Sequence, residues 1–301
     1  NGQIELSGQG QEFKLIENAK EEFIVQVNDV HFSYGKGPEI LKGVSFEMAK
    51  GEMLAIVGNN GSGKTTLVKQ LVGLLEPTSG KLNVCGMEAR KANLSEIAAR
   101  AAYVFQYPEH QFVAQGQSVF DEIAFNLRAI GADESYVKER VDILIDQCQL
   151  HGKENVSPFM LSGGEMRLVS VACMLSTKPE LLILDEPTSG LDPLIQQHVL
   201  ELVREARADG RTVCFSSHVL SEVQAVCDRV GIVRKGEIVA TERFEAIIRG
   251  RFDRLRLRFE RMPPPGAFER AGVAEIDRAG DWIALEIRQN LNQVLADAVA
   301  Y

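Results

Sequence analysis

The chain has 301 residues, of which 45% are hydrophobic, so it can bury the core of one large or two modest domains. Its formal net charge of −9 argues against bulk binding of nucleic acid but is compatible with a local basic patch. No apolar run approaches the roughly 18 residues that span a bilayer, so a link to a membrane has to come through a partner. The cysteines are scattered without a CxxC pair, which is typical of reduced thiols in a cytosolic protein: Cys85, Cys148, Cys173, Cys214 and Cys227.

The first twenty residues contain a short pattern that occurs again in the body of the chain. Asn1–Leu6 resembles Lys235–Ala240, with Gly2 at the position of Gly236. One interpretation is that residues 1–20 are the remnant of an upstream, similar domain, and the other is an ordinary tail with a coincidental match. A reading frame that begins with Met immediately before Asn1 would exclude the first interpretation.

Hydrophobic periodicity predicts that strands alternate with helices through most of the chain. The predicted strands are residues 23–34, 45–48, 53–57, 102–105, 181–184, 212–215 and 230–233. The predicted helices are residues 64–74, 119–130, 136–148, 165–176 and 193–208, and residues 106–111 are expected to be irregular. This alternation indicates an α/β fold around a mostly parallel sheet.

A glycine-rich loop follows the third predicted strand and runs into a helix. Its residues are Gly58, Asn59, Asn60, Gly61, Ser62, Gly63, Lys64, Thr65 and Thr66. Glycines in such a loop let backbone N–H groups face the phosphates of a nucleotide, and the helix start adds its positive end. The Lys64 ammonium is expected to reach the β- and γ-phosphates, and the Thr65 hydroxyl is expected to ligate Mg²⁺.

A second glycine-rich segment, Leu161–Glu165, has two compatible interpretations. It fits a capping box, in which Ser162 caps a helix and Glu165 reaches back to the cap. A capped helix start that contains Gly163 and Gly164 also exposes N–H groups and a positive dipole end, which suit a phosphate.

The apolar run Leu181–Leu184 ends in a pair of carboxylates, Asp185 and Glu186. Ligands bind at the carboxyl ends of parallel strands in sheets of this kind. We expect Asp185 to hold Mg²⁺ through water and Glu186 to polarise an attacking water molecule. Phosphoryl transfer needs mainly positioning and charge neutralisation, so few groups suffice. The alternative is two exposed acids at a strand end.

The composition changes near residue 249. Arg254–Phe259 alternates arginine with apolar residues, and Met262–Gly266 contains three prolines. Short strands are expected at residues 273–276 and 282–287, and a helix at residues 291–299. We interpret residues 249–301 as a small α+β appendage that looks truncated. Its arginine stripe favours a solvated strand face over a surface for lipid headgroups or nucleic acid.

Together these motifs resemble the ATP-binding cassette family over residues 23–248. The resemblance implies a P-loop nucleotide-binding domain at residues 21–248, with a mostly parallel sheet, an antiparallel β subdomain and a helical subdomain at about 106–176. It also implies that two cassettes, identical or related, enclose two ATP molecules head to tail, so that each site is composite. ATP and Mg²⁺ are the implied ligands, and ATP hydrolysis is the implied reaction.

The same resemblance gives roles to single residues. Tyr34 corresponds to the aromatic residue that stacks on adenine, and Gln106 to the glutamine that senses Mg²⁺ and faces the membrane partner. His218 corresponds to the switch histidine at the γ-phosphate, and Ser189–Asp192 to the loop that crosses the dimer interface. The implied catalytic residues are Glu186, His218, Gln106 and Lys64, and the implied metal-binding residues are Thr65, Gln106 and Asp185. The other implied nucleotide contacts are Tyr34, the loop at 58–66, Ser162, Gly163, Gly164 and Asp192.

Two stretches resemble different branches of the family. Residues 23–190, above all Phe105–Phe112 and Val119–Phe125, are most similar to the ATPases of energy-coupling-factor transporters, which import vitamins and transition-metal ions. Residues 194–301 are more similar to the ATPases of drug, lipid or polysaccharide exporters, and Val219 stands where the energy-coupling type usually has an acid. We favour the importer type, because the region near Gln106 is where a cassette meets its membrane partner. An exporter ATPase is the alternative.

The resemblance implies two kinds of partner. One is a second cassette ATPase, and the other is one or more integral membrane transporter subunits that contact the chain near Gln106–Phe125. This places the chain peripherally at the cytoplasmic face of the cell membrane. A cassette ATPase that acts on nucleic acid or ribosomes is less favoured, because the sequence has no sustained heptads and no cysteine cluster and its net charge is acidic. No stable nucleic-acid partner is expected.

Overall fold

A computed structural model describes residues 22–113, 118–243, 254–258, 263–269, 273–279 and 282–287. The possible remnant at residues 1–20 and the helix predicted at 291–299 lie outside the described residues. None of the described helices combines the length and apolar character needed to cross a bilayer. All five cysteines are buried thiols, and burial raises the pKa of Cys85 to about 11.

In chain order, the strands that the structure describes are β1 (Phe23–Ser33), β2 (Glu39–Ala49), β3 (Met53–Val57), β4 (Ser79–Val84), β5 (Met87–Glu88), β6 (Ala101–Val104), β7 (Leu181–Asp185), β8 (Thr212–Ser217), β9 (Arg229–Arg234), β10 (Glu237–Arg243), β11 (Arg254–Arg258), β12 (Val273–Ala279) and β13 (Trp282–Ile287). The helices are α1 (Lys64–Leu71), α2 (Leu94–Ala98), α3 (Val119–Ala129), α4 (Glu134–Gln147), α5 (Gly163–Ser176), α6 (Pro193–Ala208) and α7 (Leu220–Val226). Single 3-10 turns occur at Pro108–His110 and Pro158–Met160.

The strands form three described sheets. The central sheet has the order β10-β9-β3-β8-β7-β6. All its neighbours pair in parallel except β10 with β9. A four-stranded antiparallel sheet has the order β2-β1-β4-β5, and a three-stranded antiparallel sheet has the order β11-β13-β12. The predicted α/β fold with a mostly parallel sheet and an antiparallel β sheet is therefore confirmed.

The central strands are apolar on both faces because both faces of the sheet are covered. All five residues of β3 are buried. Met53, Ala55 and Val57 belong to a hydrophobic cluster shared with helices α3, α4, α5 and α6. Leu54 and Ile56 belong to a second cluster, shared with α1 and the antiparallel sheet. The sheet thus separates two cores, and the carboxyl ends of its strands lie between them.

The main differences from the predicted elements concern short or capped segments. Helix α5 begins at Gly163 rather than at residue 165, because both hydrogen bonds of the capping box between Ser162 and Glu165 are present. Helix α1 ends at Leu71 rather than at residue 74. The segment predicted to be irregular contains the 3-10 turn at Pro108–His110. Periodicity missed the short or edge elements β4, β5, β10, α2 and α7 because each offers few residues with a clear pattern.

The two short strands predicted at residues 273–276 and 282–287 are present as β12 and β13, and the alternating arginine segment forms β11. Four side chains of this region, Phe268, Val273, Ile283 and Leu285, are buried in the same hydrophobic cluster as helices α3 and α5. The interpretation of residues 249–301 as an α+β appendage stays a prediction, because its helical part lies outside the described residues.

The buried amide of Gln70 on α1 lowers the stability of the core next to the phosphate loop, which a substitution can test. The side chain is completely buried, and neither amide atom has a hydrogen-bond partner within the described part of the chain. A buried polar group without a partner costs about 1–3 kcal/mol. We expect Gln70→Met, which is similar in length, to raise the thermal unfolding midpoint by roughly 2–6 °C. Lys69→Met on the partly exposed side of the same helix is the control, and a lower midpoint for Gln70→Met would contradict the prediction.

Candidate active site

The loop between β3 and α1 is held in a tight curl. A Cβ atom at Gly58 would stand 2.2 Å from the carbonyl oxygen of Val233 and 2.6 Å from the Ser62 hydroxyl, so a side chain does not fit there. Gly63 has a φ of 108°, a conformation that L side chains rarely adopt. The predicted order of strand, glycine loop and helix is confirmed, and the loop leads directly into the positive end of α1.

Lys64 lies inside this curl and is buried. Its Nζ donates to the carbonyl oxygens of Gly58 at 2.8 Å and Asn59 at 3.3 Å. The same atom forms an ion pair with Glu186 Oε1 at 3.0 Å, and both side chains are only 5–6% exposed. The ammonium therefore joins the phosphate loop to the end of β7.

Asp185 is the fully buried last residue of β7 and accepts three hydrogen bonds. Its Oδ1 accepts from Thr65 Oγ1 at 3.2 Å and from Ser216 Oγ at 2.6 Å, and its Oδ2 accepts from the Tyr103 hydroxyl at 2.8 Å. Burial, followed by the Asp185 charge, raises the pKa of Tyr103 far above its usual range. The sequence did not reveal Tyr103 and Ser216, because they lie on the strands either side of β7 and only the strand order brings them to Asp185.

Glu186 is held in an unusual backbone conformation. Its φ of 48° lies in the left-handed region, which costs about 1–3 kcal/mol for a residue with a side chain. Its N–H donates to the carbonyl oxygen of Ser216 at 3.1 Å and to the hydroxyl of Ser216 at 3.0 Å. Its carboxylate stands between Lys64 and His218, whose Nδ1 is 2.5 Å from Glu186 Oε2. The His218 side chain is 45% exposed, so this end of the pair faces the surface.

The chemistry of these residues fits a nucleotide with Mg²⁺. Thr65 Oγ1 and Asp185 Oδ1 are 3.2 Å apart and are oxygen ligands of the kind that Mg²⁺ prefers. The described residues contain no cluster of three or more His, Cys, Asp or Glu side chains that could hold a metal. A Mg²⁺ site with few protein ligands is normal where phosphates and water complete the shell. The buried Ser62 hydroxyl has no partner among the described residues, which suits a phosphate oxygen.

Tyr34 stands beside the end of the loop. Its hydroxyl lies 3.4 Å from Thr66 Oγ1, and its ring packs edge-on against Phe32 with the centroids 4.8 Å apart. The side chain is 53% exposed. An aromatic face is therefore available next to the phosphate loop, where stacking of a base was predicted.

The segment at 162–164 begins helix α5, whereas the phosphate loop leads into helix α1. Glu165 accepts from the Ser162 N–H at 2.9 Å and from the Ser162 hydroxyl at 2.8 Å, and these bonds lower the pKa of Glu165. Ser162 and Gly163 are exposed. Asp192 caps α6 by accepting from the N–H groups of residues 194 and 195, both at 3.1 Å.

Gln106 is held through its backbone rather than its side chain. Arg167 on α5 donates to the carbonyl oxygens of Gln106 and of Phe105, the latter at 2.5 Å. Among the described residues, no hydrogen bond joins the Gln106 amide to the two predicted metal ligands, so its role beside them stays a prediction. The Arg167 side chain is only 2% exposed, and burial lowers its pKa to about 10.

Gln111 fixes the other end of the segment that contains Gln106. Its buried amide accepts from the N–H of Phe105 at 3.3 Å and from the hydroxyl of Ser170 at 3.0 Å, and it donates to the Ser170 carbonyl at 2.7 Å. Sequence reasoning missed Arg167, Ser170 and Gln111. A charged residue on the buried face of the predicted helix at 165–176 was the one available signal.

A groove of about 1070 Å³ lies at the opposite edge of the central sheet, where β3 and β9 begin. Its lining includes Lys50, Glu52, Asp228 and Arg229. None of the predicted site residues lines it, so we do not place the nucleotide there.

Comparisons with known proteins agree with this geometry. The profile of the family described as ABC transporter matches residues 41–189. An ABC transporter ATP-binding protein, as it is named, from Caldanaerobacter subterraneus subsp. tengcongensis is 40% identical over 215 residues, which are 71% of this chain and 37% of that protein. The energy-coupling factor transporter ATP-binding protein EcfA of Methanothermobacter thermautotrophicus is 34% identical over 219 residues, which are 72% of this chain and 70% of that protein.

A solved structure is also similar. It is cbiO1 from Clostridium perfringens, described as part of the ABC transporter complex cbiONQ, and it matches with a TM-score of 0.69 at 28% identity, covering 76% of this chain and 92% of that chain. This solved structure shares the fold of the chain, and the residues gathered around Lys64 suit ATP. The chain belongs to the family of ABC transporter ATP-binding proteins and is an ATP-binding, ATP-hydrolysing cassette.

Proposed function

We propose that this ATPase powers an importer of the energy-coupling-factor type and works as one half of a pair of cassettes. The observation that carries the ATPase part is the contact series from the buried Lys64 through the buried Glu186 to His218, which is half-exposed. The importer type is supported by the similarity to EcfA and to cbiO1 and by the segment Phe105–Phe112.

In this proposal each residue of the contact series from Lys64 to His218 has one task. The Lys64 ammonium binds the β- and γ-phosphates, and Glu186 accepts the proton of the attacking water. His218 orients the Glu186 carboxylate through the 2.5 Å contact and reaches the γ-phosphate from its exposed side. Mg²⁺, held by Thr65 and through water by Asp185, with Gln106 as the residue that senses it, would neutralise charge on the phosphates.

The composite site is supported by the exposure of Ser162 at the start of α5. A helix start with free N–H groups attracts anions, so this segment suits the γ-phosphate of an ATP bound by the opposite cassette. Gly163, Gly164 and Asp192 accompany it at that interface.

Ser162→Arg tests the composite site. We expect ATP binding by one chain to stay within about twofold of the wild type, because the phosphate loop is untouched, and turnover to fall by about 100-fold, because a bulky side chain blocks pairing. Ser118→Arg is the matched control, since Ser118 caps α3 as Ser162 caps α5. Unchanged turnover in Ser162→Arg, measured by phosphate release, would refute the composite site.

The surface around Gln106 is the proposed contact for the membrane subunits. Tyr107 is 54% exposed, Val113 59% and Phe125 41%, so three apolar side chains of the region Gln106–Phe125 are exposed. An apolar surface of this kind suits a protein partner. Attachment there would place the ATPase peripherally on the cytoplasmic face of the membrane.

The direction of transport is tested in the assembled complex. We expect ATP-dependent accumulation of a vitamin or metal ion inside cells or vesicles that carry the neighbouring membrane subunits. The similarity of residues 194–301 to exporter ATPases makes the reverse flux the alternative. Outward flux alone would refute the importer proposal and leave the ATPase assignment intact.

A further inference from the structure

Glu222 joins two segments that the ATPase mechanism needs close together. It lies in the first turn of α7, and its Oε2 accepts a hydrogen bond from Thr188 Oγ1 at 2.5 Å and from Ser217 Oγ at 3.2 Å. Thr188 is 3% exposed and Ser217 is 1% exposed. A single carboxylate oxygen thus accepts from two buried hydroxyl groups, one in the loop after β7 and one at the end of β8.

The two hydroxyl groups flank the reactive pair. Thr188 follows Glu186 by two residues, and Ser217 directly precedes His218. The Ser217 hydroxyl also accepts from the N–H of Val219 at 2.9 Å, so it fixes the backbone on the far side of His218. The Glu222 carboxylate therefore fastens both chain segments at points next to the 2.5 Å contact between Glu186 and His218.

Glu186 has a particular need for such a restraint. Its left-handed backbone is unfavourable by itself and persists only where surrounding contacts determine it. Ser216 holds the Glu186 N–H on one side. On the other side, Gln196 Nε2 donates to the Thr188 carbonyl at 3.3 Å and Glu222 takes the Thr188 hydroxyl. A hydrogen bond to a carboxylate is stronger than one between neutral groups.

We propose that Glu222 is a positioning residue for ATP hydrolysis, which sets the distance between Glu186 and His218 through Thr188 and Ser217. The proposal rests on the proposed roles of Glu186 and His218 in hydrolysis. It predicts that loss of the acceptor oxygen of Glu222 slows turnover without weakening nucleotide binding, because Glu222 touches neither the phosphate loop nor Tyr34 among its described contacts.

Substitutions of Glu222 can distinguish the effect of its hydrogen-bond acceptor oxygen from the effect of its negative charge. Glu222→Gln keeps a carbonyl oxygen that can accept from both hydroxyl groups, whereas Glu222→Ala leaves both without a partner. Thr188→Val removes one donor and keeps the shape. Ser221→Ala, on the exposed side of the same helix, is the control for changes to α7.

The experiment measures turnover at saturating ATP, nucleotide affinity by fluorescence titration and the thermal midpoint for each variant of the full chain. We expect kcat to fall about tenfold in Glu222→Ala and in Thr188→Val, with the ATP dissociation constant within about twofold. Glu222→Gln is expected to stay within about threefold of the wild-type kcat. The double variant Thr188→Val/Glu222→Ala is expected to be no slower than the slower single variant. The Thr188–Glu222 hydrogen bond that Thr188→Val removes is already lost in Glu222→Ala.

Several results would overturn the proposal. They are wild-type turnover in Glu222→Ala, equal impairment of Glu222→Gln and Glu222→Ala, multiplied losses in the double variant, or a kcat loss accompanied by weaker ATP binding. Glu186→Gln, measured in parallel, distinguishes a failure of the catalytic role of Glu186 from a failure of the positioning role of Glu222. If it retains turnover, the role of Glu186 is wrong, and if it is inactive while Glu222→Ala is normal, only the positioning role fails.

Discussion

Glu186→Gln is expected to bind ATP with wild-type affinity and to lower turnover by about 100-fold or more. The amide keeps the size of the side chain but cannot accept the proton of the attacking water. It also loses the charge that stands 3.0 Å from Lys64 and 2.5 Å from His218. Because ATP is bound and not cleaved, we expect the variant to remain paired, which size-exclusion chromatography with ATP and Mg²⁺ would detect.

Glu201→Gln is the matched control for this variant. Glu201 is an exposed glutamate on α6 whose described contact is with Gln197 on the same helix. We expect it to hydrolyse ATP like the wild type. Turnover near the wild-type rate in Glu186→Gln, measured in the same assay, would show that another group polarises the water.

Lys64→Ala is expected to weaken ATP binding by about 100-fold, the second large effect. The ammonium is the cation at the phosphate loop, and the positive end of α1 alone contributes much less than a full charge. The change also leaves Glu186 buried without its lysine partner, and breaking a buried pair is destabilising. We therefore expect a lower thermal midpoint together with the weaker binding, measured by calorimetry and by differential scanning fluorimetry.

Two further variants separate these effects. Lys69→Ala removes a lysine from the partly exposed side of the same helix and should change neither quantity. Lys64→Ala/Glu186→Gln removes both charges of the buried pair, so the thermal midpoint should recover while ATP binding stays weak. ATP affinity equal to that of the wild type in Lys64→Ala would contradict the role of the loop.

Local patterns in the sequence were enough to place the elements that carry chemistry. Met53–Val57 and Pro193–Ala208 were predicted with the bounds that the structure shows, because an apolar strand before a glycine loop and a proline after a capping aspartate are strong signals. The pair of carboxylates was predicted at the end of the strand at residues 181–184, and the structure extends that strand, β7, to Asp185. The direct contact between Lys64 and Glu186 was not predicted.

What surrounds those residues could not be predicted from local patterns. Ser216 and Tyr103 reach Asp185 only because β8 and β6 flank β7, and that order is a property of the whole sheet. Glu222 reaches Thr188 across 34 positions of sequence. Hydrophobic periodicity does not predict that the charged side chain of Arg167 is buried, because its partners are carbonyl groups on a separate loop.

The backbone contacts of Arg167 have a consequence for how this ATPase could be matched to different membrane proteins. Arg167 binds the carbonyl oxygens of Phe105 and Gln106, groups that every amino acid carries, so the connection does not depend on which side chains follow them. If the membrane subunits bind this surface as proposed, substitutions of the outward side chains at residues 107–110 change the surface that they recognise, while Arg167 of α5 still contacts the same two peptide groups. Under the proposed docking, such a cassette can change which partner it binds while the hydrogen bonds between Arg167 and this segment stay the same.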